Sequence, residues 1–248
     1  MTTRIAETSR RTTAKVAGFM FLLYIATGIG NAVLLGQATG GAVGIAATLA
    51  SIAQHATTVR LTALLSLLTF VDAVVLAVAL YALTRDQGPE LAVLALCFRG
   101  TEGVIGAMSA VRTLGLLSVA AASTAAAAPN AAAANALGAW LLTEAGSGTL
   151  IAATCFALGS TIFAYLFLRA RSIPVPLAWL GLLASILLVA ALPLQIAGFI
   201  KGPVTDFMWI PMAVFEVVLA LWLLIKGVAM PPTRQSPPAQ AESVHARA

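Results

Sequence analysis

Charged side chains are scarce in this sequence. Only 9% of its 248 residues are charged and 60% are hydrophobic, whereas soluble domains carry roughly 25% charged residues. So few charged residues cannot cover the surface of a soluble fold. The composition therefore predicts an integral membrane protein, with the lipid bilayer as a partner. The net charge of +5 does not indicate nucleic-acid binding, because the basic residues flank apolar runs instead of clustering on a soluble domain.

Histidine and cysteine are also scarce. His55 falls in a predicted loop and His245 in the C-terminal tail, so neither offers imidazole chemistry inside the membrane. Cys97 and Cys155 lie within apolar runs, where no disulfide framework or metal-ligand spacing can be built from them. The sequence also has no phosphate-binding loop, dinucleotide fingerprint or nucleophile triad. We therefore expect no metal and no cofactor, and an enzymatic activity, the least favoured hypothesis, would rest on carboxylates alone.

The sequence does contain six apolar runs, each about as long as the ~20 residues that cross a bilayer. They predict an all-α bundle of six transmembrane helices, with spans at about 16–35, 61–83, 91–117, 148–168, 177–197 and 207–227. The first run exceeds the length of a secretory signal's apolar region, so we expect an uncleaved span. These spans make one membrane domain, 16–228, between a basic N-terminal tail, 1–15, and a Pro- and Gln-rich tail, 229–248, predicted to be disordered.

Two connections between the spans are longer than the others. Residues 37–58 are rich in Gly, Ala and Thr and predict an outer loop with a short interfacial helix between Val43 and Gln54. Residues 120–139 are rich in alanine and are interrupted by Pro129-Asn130. Because alanine favours helix and proline ends it, the third and fourth spans are expected to project beyond the membrane and meet at that proline.

The basic residues predict the orientation of the spans. Ten of the fourteen Lys and Arg residues lie in the N-terminal tail, the turn at Arg85, the turn at Arg169 and Arg171, and the segment from Lys226 to the C-terminus. These four segments alternate with outer loops that carry only Arg60 and Lys201. The positive-inside pattern therefore predicts a multi-pass membrane protein with both termini cytoplasmic. The sequence leaves open whether it is a monomer or a small homo-oligomer.

Four charged residues interrupt the apolar runs: Asp72, Arg99, Glu102 and Glu216. Counted from the cytoplasmic ends of their spans, all four lie roughly 12–17 Å into the membrane, near its midplane. Arg99 and Glu102 share one helix face at i, i+3. A charge at this depth costs several kcal/mol unless it has a partner or a watery cavity. We therefore expect that face to point inward, toward Asp72 and Glu216.

The predicted cluster holds three carboxyl groups and one guanidinium. It is neutral only if carboxyls are protonated or a cation is bound, which supports a proton- or cation-coupled site for a small-molecule or cation ligand in a transporter or binding protein. The alternative is a structural or regulatory membrane protein that acts through protein partners, with the cluster only fixing helix packing. Secondary candidates for polar roles lie near the outer ends of spans: Arg112, Glu144 and Gln195, the last beside a predicted kink at Pro193.

Two further patterns predict helix environment. Four tryptophans near span ends are typical of an interfacial belt: Trp140, Trp179, Trp209 and Trp222. Three small residues on the third span predict that a neighbouring helix approaches it closely: Gly100, Gly103 and Gly106.

Several short segments between about Lys15 and Gly227 carry a resemblance to a known family. They are Ala17-Gly18-Phe19 leading to Gly28, Arg60 followed by Asp72 and Leu80-Tyr81, Phe98-Arg99 followed by Glu102, Tyr165-Leu166 leading to Arg171-Ser172 and Pro174, and Glu216 leading to Trp222 and Lys226-Gly227. In order and spacing they resemble an uncharacterised bacterial family of multi-span membrane proteins, domain of unknown function 4386. The resemblance implies a bacterial inner-membrane protein and no particular activity. The fourth span departs from the family pattern, because its entry, 143–147, lacks the polar character and the histidine that the family often has there.

Overall fold

A computed structural model describes residues 2–124 and 131–229. Within these ranges the chain is α-helical, with one 3-10 turn at Arg85–Gln87 and no strand. The helices are α1 Thr2–Thr39, α2 Ile45–Gln54, α3 Ala56–Thr84, α4 Pro89–Thr124, α5 Ala131–Ala170, α6 Val175–Ile196, α7 Val204–Phe207 and α8 Ile210–Ile225. The predicted disordered tail lies outside the described residues except for Ala229.

Within the described residues, six segments are long and apolar enough to cross a membrane: α1, α3, α4, α5, α6, and α7 with α8. This confirms the predicted all-α class with six candidate spans. The long helices pack in the order α1, α3, α4, α5, α6 and α8, and α8 returns to α1. The bundle is therefore a closed ring of helices, and side chains that point inward from different helices meet at its centre.

One end of the bundle contains the first turns of α1, the end of α8 and the two short turns, and it is the end nearest to the termini among the described residues. Arg10 on α1 forms an ion pair with Asp86 at 3.2 Å and donates a hydrogen bond to the carbonyl of Leu83 at 2.9 Å. The end of the last span lies beside it, because Gly227, which follows α8, is close to Ala14 on α1. The first helix thus begins well before residue 16, where the apolar run of the first predicted span starts. Residues 2–15 contain no Gly or Pro, so the helix continues outward, and Arg10 fixes it to the turn between α3 and α4.

The opposite end has a small apolar core of its own. Leu49 and Ile52 of α2 pack there with Leu116 and Leu117 of α4. The short helix predicted in the 37–58 connection is therefore present as α2, and it is packed against α4 instead of lying free. The flanks of the Ala-rich segment are helical, since α4 continues to Thr124 and α5 begins at Ala131. The predicted meeting point, Pro129-Asn130, lies outside the described residues.

Proline interrupts the last two spans. Pro193 lies inside α6, which ends three residues later at Ile196. The final span is divided into α7 and α8 at Met208 and Trp209. Pro211 has no amide hydrogen to give to the carbonyl of Phe207, so a continuous helical ladder cannot form there.

Glycines allow close helix approach at particular positions. A Cβ atom on Gly18 would lie 2.6 Å from the carbonyl oxygen of Ala220, and one on Gly181 would lie 2.4 Å from the ring of Phe215. Helix α8 is thus held closely on two sides, by α1 and by α6. In the third span only Gly103 has a neighbour, with Ala73 and Phe70 at 3.4 Å. The prediction for Gly100 and Gly106 is wrong, because the space beside both is open.

Candidate binding site at the centre of the bundle

Arg99 and Glu102 form the core of the site. They lie one turn apart on α4, and Arg99 Nη1 is 2.9 Å from Glu102 Oε2. Tyr24 on α1 donates a hydrogen bond to Glu102 Oε1. Arg99 is only 1% exposed, so the ion pair and the tyrosine together compensate a charge that the apolar surroundings would otherwise penalise.

Two aromatic rings hold the guanidinium of Arg99. Its central carbon lies 4.6 Å from the ring centroid of Phe156 on α5 and 5.5 Å from that of Tyr24. Cations are attracted to the faces of such rings, by about 2 kcal/mol or more where water is excluded. The side chain reaches this position past Gly159, where a Cβ atom would lie 2.9 Å from Arg99 Cγ. The helix face predicted from the i, i+3 spacing does therefore point into the bundle.

A cavity of about 270 Å³ lies beside this pair. Its charged lining groups are Glu102 and Glu216, and aromatic side chains form much of the remaining wall: Tyr24, Phe70, Phe156 and Trp209. It extends from Glu216 toward the start of α8, the end of the bundle opposite the termini. Arg99 is not among the residues that line it. The cavity is thus acidic and aromatic, which is the chemistry that recognises organic cations.

A second, much smaller cavity lies on the other side of Glu216. Its volume is about 10 Å³, close to what a single water needs. Arg99 and Glu216 line it together with four phenylalanine rings: Phe21, Phe163, Phe167 and Phe215. Glu216 is therefore the carboxyl group shared by both cavities. The phenylalanines separate the cluster from the end of the bundle that holds the termini.

Asp72 occupies a different position from the other two carboxyl groups. It is 2% exposed, and neither of its oxygens has a hydrogen-bond partner in the protein. Its neighbour Ala73 and nearby Phe70 line the large cavity, whereas Asp72 itself does not. Of the four predicted residues, Arg99, Glu102 and Glu216 thus surround one centre, and Asp72 lies behind its wall.

The secondary candidates lie apart from this centre. Arg112 is half-buried on α4, and Gln195 is half-buried near the end of α6 with its Oε1 lacking a hydrogen bond. Neither is among the described residues that line the two cavities. Glu144 is in α5, but its side chain is outside the described part of the structure.

Sequence reasoning missed the aromatic part of the site. Tyr24 and Phe156 are ordinary members of apolar runs, and Trp209 was predicted to belong to an interfacial belt. The structure places Trp209 in the cavity wall, with its ring centroid 6.1 Å from that of Phe156. The available signal for Tyr24 was its hydroxyl near the middle of an apolar span, since a buried phenol needs a hydrogen-bond acceptor.

The candidate site lies within a recognised sequence family. The model of the Domain of unknown function DUF4386 matches residues 16–227. The chain belongs to this family. In this DUF4386 member the matched region includes every residue of the central cluster and both cavities. No curated protein and no solved structure matches the chain significantly. Among the described residues, no group of three or more His, Cys, Asp and Glu side chains is arranged to hold a metal ion.

Proposed function

We propose that this protein binds a small organic cation at the centre of its helix ring and moves it across the membrane. The single observation that carries the proposal is the cavity of about 270 Å³ whose charged lining groups are both carboxyls, Glu102 and Glu216. An anionic ligand would face these carboxyls, while the guanidinium of Arg99 lies outside the lining. A positively charged ligand would be attracted both by these carboxyl groups and by the faces of the aromatic rings.

The protein's own arginine supports this choice of ligand class. Arg99 is a delocalised cation held by a carboxylate, Glu102, and two aromatic rings, Tyr24 and Phe156. The adjoining cavity offers a second carboxyl, Glu216, and the further rings of Phe70 and Trp209. The volume is slightly below the range of about 300–1,000 Å³ for drug-sized ligands. We therefore expect a compact protonated amine or quaternary ammonium compound.

Movement across the membrane is supported by the position of Glu216. This carboxyl lines the large cavity and also the small cavity on the side of the termini. A cation at Glu216 would meet the phenylalanines Phe163, Phe167 and Phe215 as the remaining barrier. We propose that both termini, with the basic residues near them, face the cytoplasm of a bacterial cell, so that the large cavity serves the outer side.

Binding is tested by titrating the purified protein with tetraethylammonium in a calorimeter. We expect saturable binding in the wild type. Glu216→Gln should weaken it by about 2–5 kcal/mol, more than tenfold in Kd, because a carboxylate facing a desolvated cation is removed. Glu90→Gln is the matched control, since Glu90 is exposed at the start of α4. Absence of binding, or equal binding by Glu216→Gln and wild type, would contradict the proposal.

Access to the cavity is tested with single cysteines in a Cys97→Ala, Cys155→Ala background. We expect Ala152→Cys, in the cavity wall, to react with a membrane-impermeant thiol reagent applied from one side. Val104→Cys is the control, because Val104 is exposed on the outer surface of α4, where lipid would cover it. Labelling of neither cysteine in folded protein would favour the alternative, in which the cluster only fixes helix packing.

That alternative has one observation in its favour. Tyr24, Glu102 and Arg99 join α1 to α4 through a hydrogen bond and an ion pair, and Arg99 also touches Phe156 on α5. Such a junction would specify the register of three helices in a protein that acts through protein partners or as a homo-oligomer. Under this hypothesis the Glu216→Gln variant would lose thermal stability without any change in cation binding.

A further inference from the structure

The guanidinium of Arg99 is buried with donors left unpaired. The residue is 1% exposed, and its Nη1 forms the ion pair with Glu102 at 2.9 Å. Its Nε and Nη2 are also buried and have no hydrogen-bond acceptor in the protein. A guanidinium carries five N–H donors, and buried polar groups without any partner are rare because each costs free energy. These two nitrogens therefore require an acceptor from the space beside them.

The small cavity is that space, and it brings two further polar side chains to Arg99. Its lining includes Arg99 of α4, Ser160 of α5 and Glu216 of α8. The other described residues of the lining are phenylalanine, leucine and alanine. Three polar groups from three helices thus meet in one pocket with apolar walls.

Ser160 and Glu216 both have hydrogen-bonding capacity to spare. Thr154 and Thr161 on the same helix as Ser160 each donate to the carbonyl oxygen four residues earlier, at 2.9 and 2.8 Å. Among the described residues the hydroxyl of Ser160 makes no such bond. Glu102 has direct side-chain partners, whereas Glu216 has no direct hydrogen bond or ion pair with a described residue. The pocket therefore offers donors and acceptors that do not reach one another.

We propose that a single water molecule is bound between Arg99, Ser160 and Glu216. The cavity volume of about 10 Å³ is at the lower end of what one buried water needs, and such a water has roughly two to four polar partners. The water accepts a hydrogen bond from the guanidinium and donates to the carboxylate of Glu216 and to the hydroxyl oxygen of Ser160. It supplies the acceptor that the protein does not give Arg99.

The water completes a polar chain across four helices. The chain runs from Tyr24 on α1 through Glu102 and Arg99 on α4, and the water continues it to Ser160 on α5 and Glu216 on α8. Glu216 gains a donor while still lining the large cavity. This inference does not rest on the proposed cation site, because the water is bound in the protein without any ligand.

Radiolytic footprinting of the purified full-length protein tests for the water. Ionising radiation splits water into hydroxyl radicals, which react close to where they form, so a buried ring is hydroxylated only if water lies beside it. We expect Phe163 and Phe167, 3% and 1% exposed in the cavity wall, to gain an oxygen that tandem mass spectrometry locates. Met212 is 1% exposed and lines neither cavity. It should be spared, although a thioether is more reactive toward these radicals than a phenyl ring.

A variant that expels the water gives the second arm of the test. Ser160→Val removes the hydroxyl and fills part of the cavity with apolar atoms. We expect hydroxylation of Phe163 and Phe167 to fall severalfold. Thr161→Val is the matched control, because the Thr161 hydroxyl bonds to its own helix and the residue does not line the cavity. It should give the wild-type pattern.

Three outcomes would overturn the inference. The first is that neither phenylalanine is hydroxylated at a dose that modifies the exposed His55. The second is equal modification of Met212, and the third is wild-type hydroxylation in folded Ser160→Val. If that variant does not elute as a folded monodisperse species, the comparison with Met212 in wild type decides. No arm measures cation binding, so failure of the proposed function would leave this test unaffected.

Discussion

The backbone of Gly159 lies against the side chain of Arg99. A Cβ atom at this position of α5 would be 2.9 Å from Arg99 Cγ, 3.2 Å from Arg99 Cδ and 3.2 Å from the carbonyl oxygen of Ala95. The glycine therefore provides the space through which the arginine extends from α4 to the centre of the ring. The charged cluster and the packing of α4 on α5 depend on the same missing side chain.

Gly159→Ala should accordingly affect stability and binding together. The methyl group must displace either Arg99 or the α4 backbone, and overpacking of this kind costs about 1–3 kcal/mol. We expect a lower apparent Tm, measured by tryptophan fluorescence in detergent. We also expect weaker tetraethylammonium binding, measured by calorimetry. Gly100→Ala is the control, since the space beside Gly100 is open, and it should unfold at or slightly above the wild-type temperature. Equal behaviour of the two variants would contradict the role assigned to Gly159.

Tyr24→Phe should weaken cation binding while keeping the fold. The change removes the hydroxyl that donates to Glu102 and leaves a buried carboxylate oxygen without its partner, at a cost of about 1–3 kcal/mol. The ring remains as a cation-binding face. Calorimetry with tetraethylammonium measures the effect, and Tyr165→Phe is the control because Tyr165 is exposed on α5. Unchanged affinity and unchanged Tm in Tyr24→Phe would show that the hydrogen bond contributes nothing.

Gly18→Ala should destabilise the closure of the ring. The new methyl group would lie 2.6 Å from the carbonyl oxygen of Ala220 and 2.8 Å from Leu224 Cγ, so α1 and α8 must separate. We expect a loss of about 1–3 kcal/mol, seen as a lower apparent Tm. Gly28→Ala on the same helix has open space beside it and should leave the Tm unchanged or raise it. Equal apparent Tm values for Gly18→Ala and Gly28→Ala would contradict a tight α1–α8 contact.

Arg10 should matter more to stability than its ion-pair partner. Asp86 is largely exposed, and exposed pairs contribute about 0–1 kcal/mol. Arg10 is only 15% exposed in its side chain and also binds the carbonyl of Leu83 at the end of α3. We therefore expect Arg10→Ala to lower the apparent Tm more than Asp86→Asn does. A double-mutant cycle with both changes isolates the ion pair, and equal losses in the two single variants would contradict this ranking.

The proposed orientation predicts opposite labelling at the two ends of the bundle. Val43 is 93% exposed in the turn between α1 and α2, and Glu90 is exposed at the start of α4. In the cysteine-free background, Val43→Cys should react with an impermeant thiol reagent added outside intact cells. Glu90→Cys should react only after the membrane is opened. The reverse pattern would invert the protein and assign the large cavity to the cytoplasmic side.

The sequence predicts the number of helices and the depth of the charged residues in the membrane. It does not predict the direction in which each side chain points from its helix. Apolar runs and ~20 residues per crossing predict six spans, and the structure has six such helices. In α1 and α5 the helix continues past the apolar run, because hydropathy indicates the membrane-crossing part of a helix and not the helix ends. Depth placed Asp72 level with Glu216, yet only the packing of α3 shows that Asp72 stays behind the cavity wall.

The aromatic residues of the site were not predictable for a related reason. In a chain this apolar, Phe156 is chemically like every other phenylalanine until its ring is seen over Arg99, at 4.6 Å. Tryptophans gather at span ends in any membrane protein, so the position of Trp209 suggested lipid contact. The break between α7 and α8, caused by Pro211, turns that tryptophan toward the cavity instead. Charged residues are easy to recognise in so apolar a sequence, whereas the side chains that interact with them are not.

The shortness of α8 has a consequence for the surrounding lipid. Its 16 residues rise roughly 24 Å, less than the ~30 Å thickness of a typical hydrocarbon core. The remainder of the span is the bent segment from Val204 to Trp209, whose backbone cannot face acyl chains unprotected. Such hydrophobic mismatch is relieved by local thinning of the bilayer. We therefore expect the acyl-chain length of a reconstituted membrane to tune the accessibility of the cavity beside Trp209.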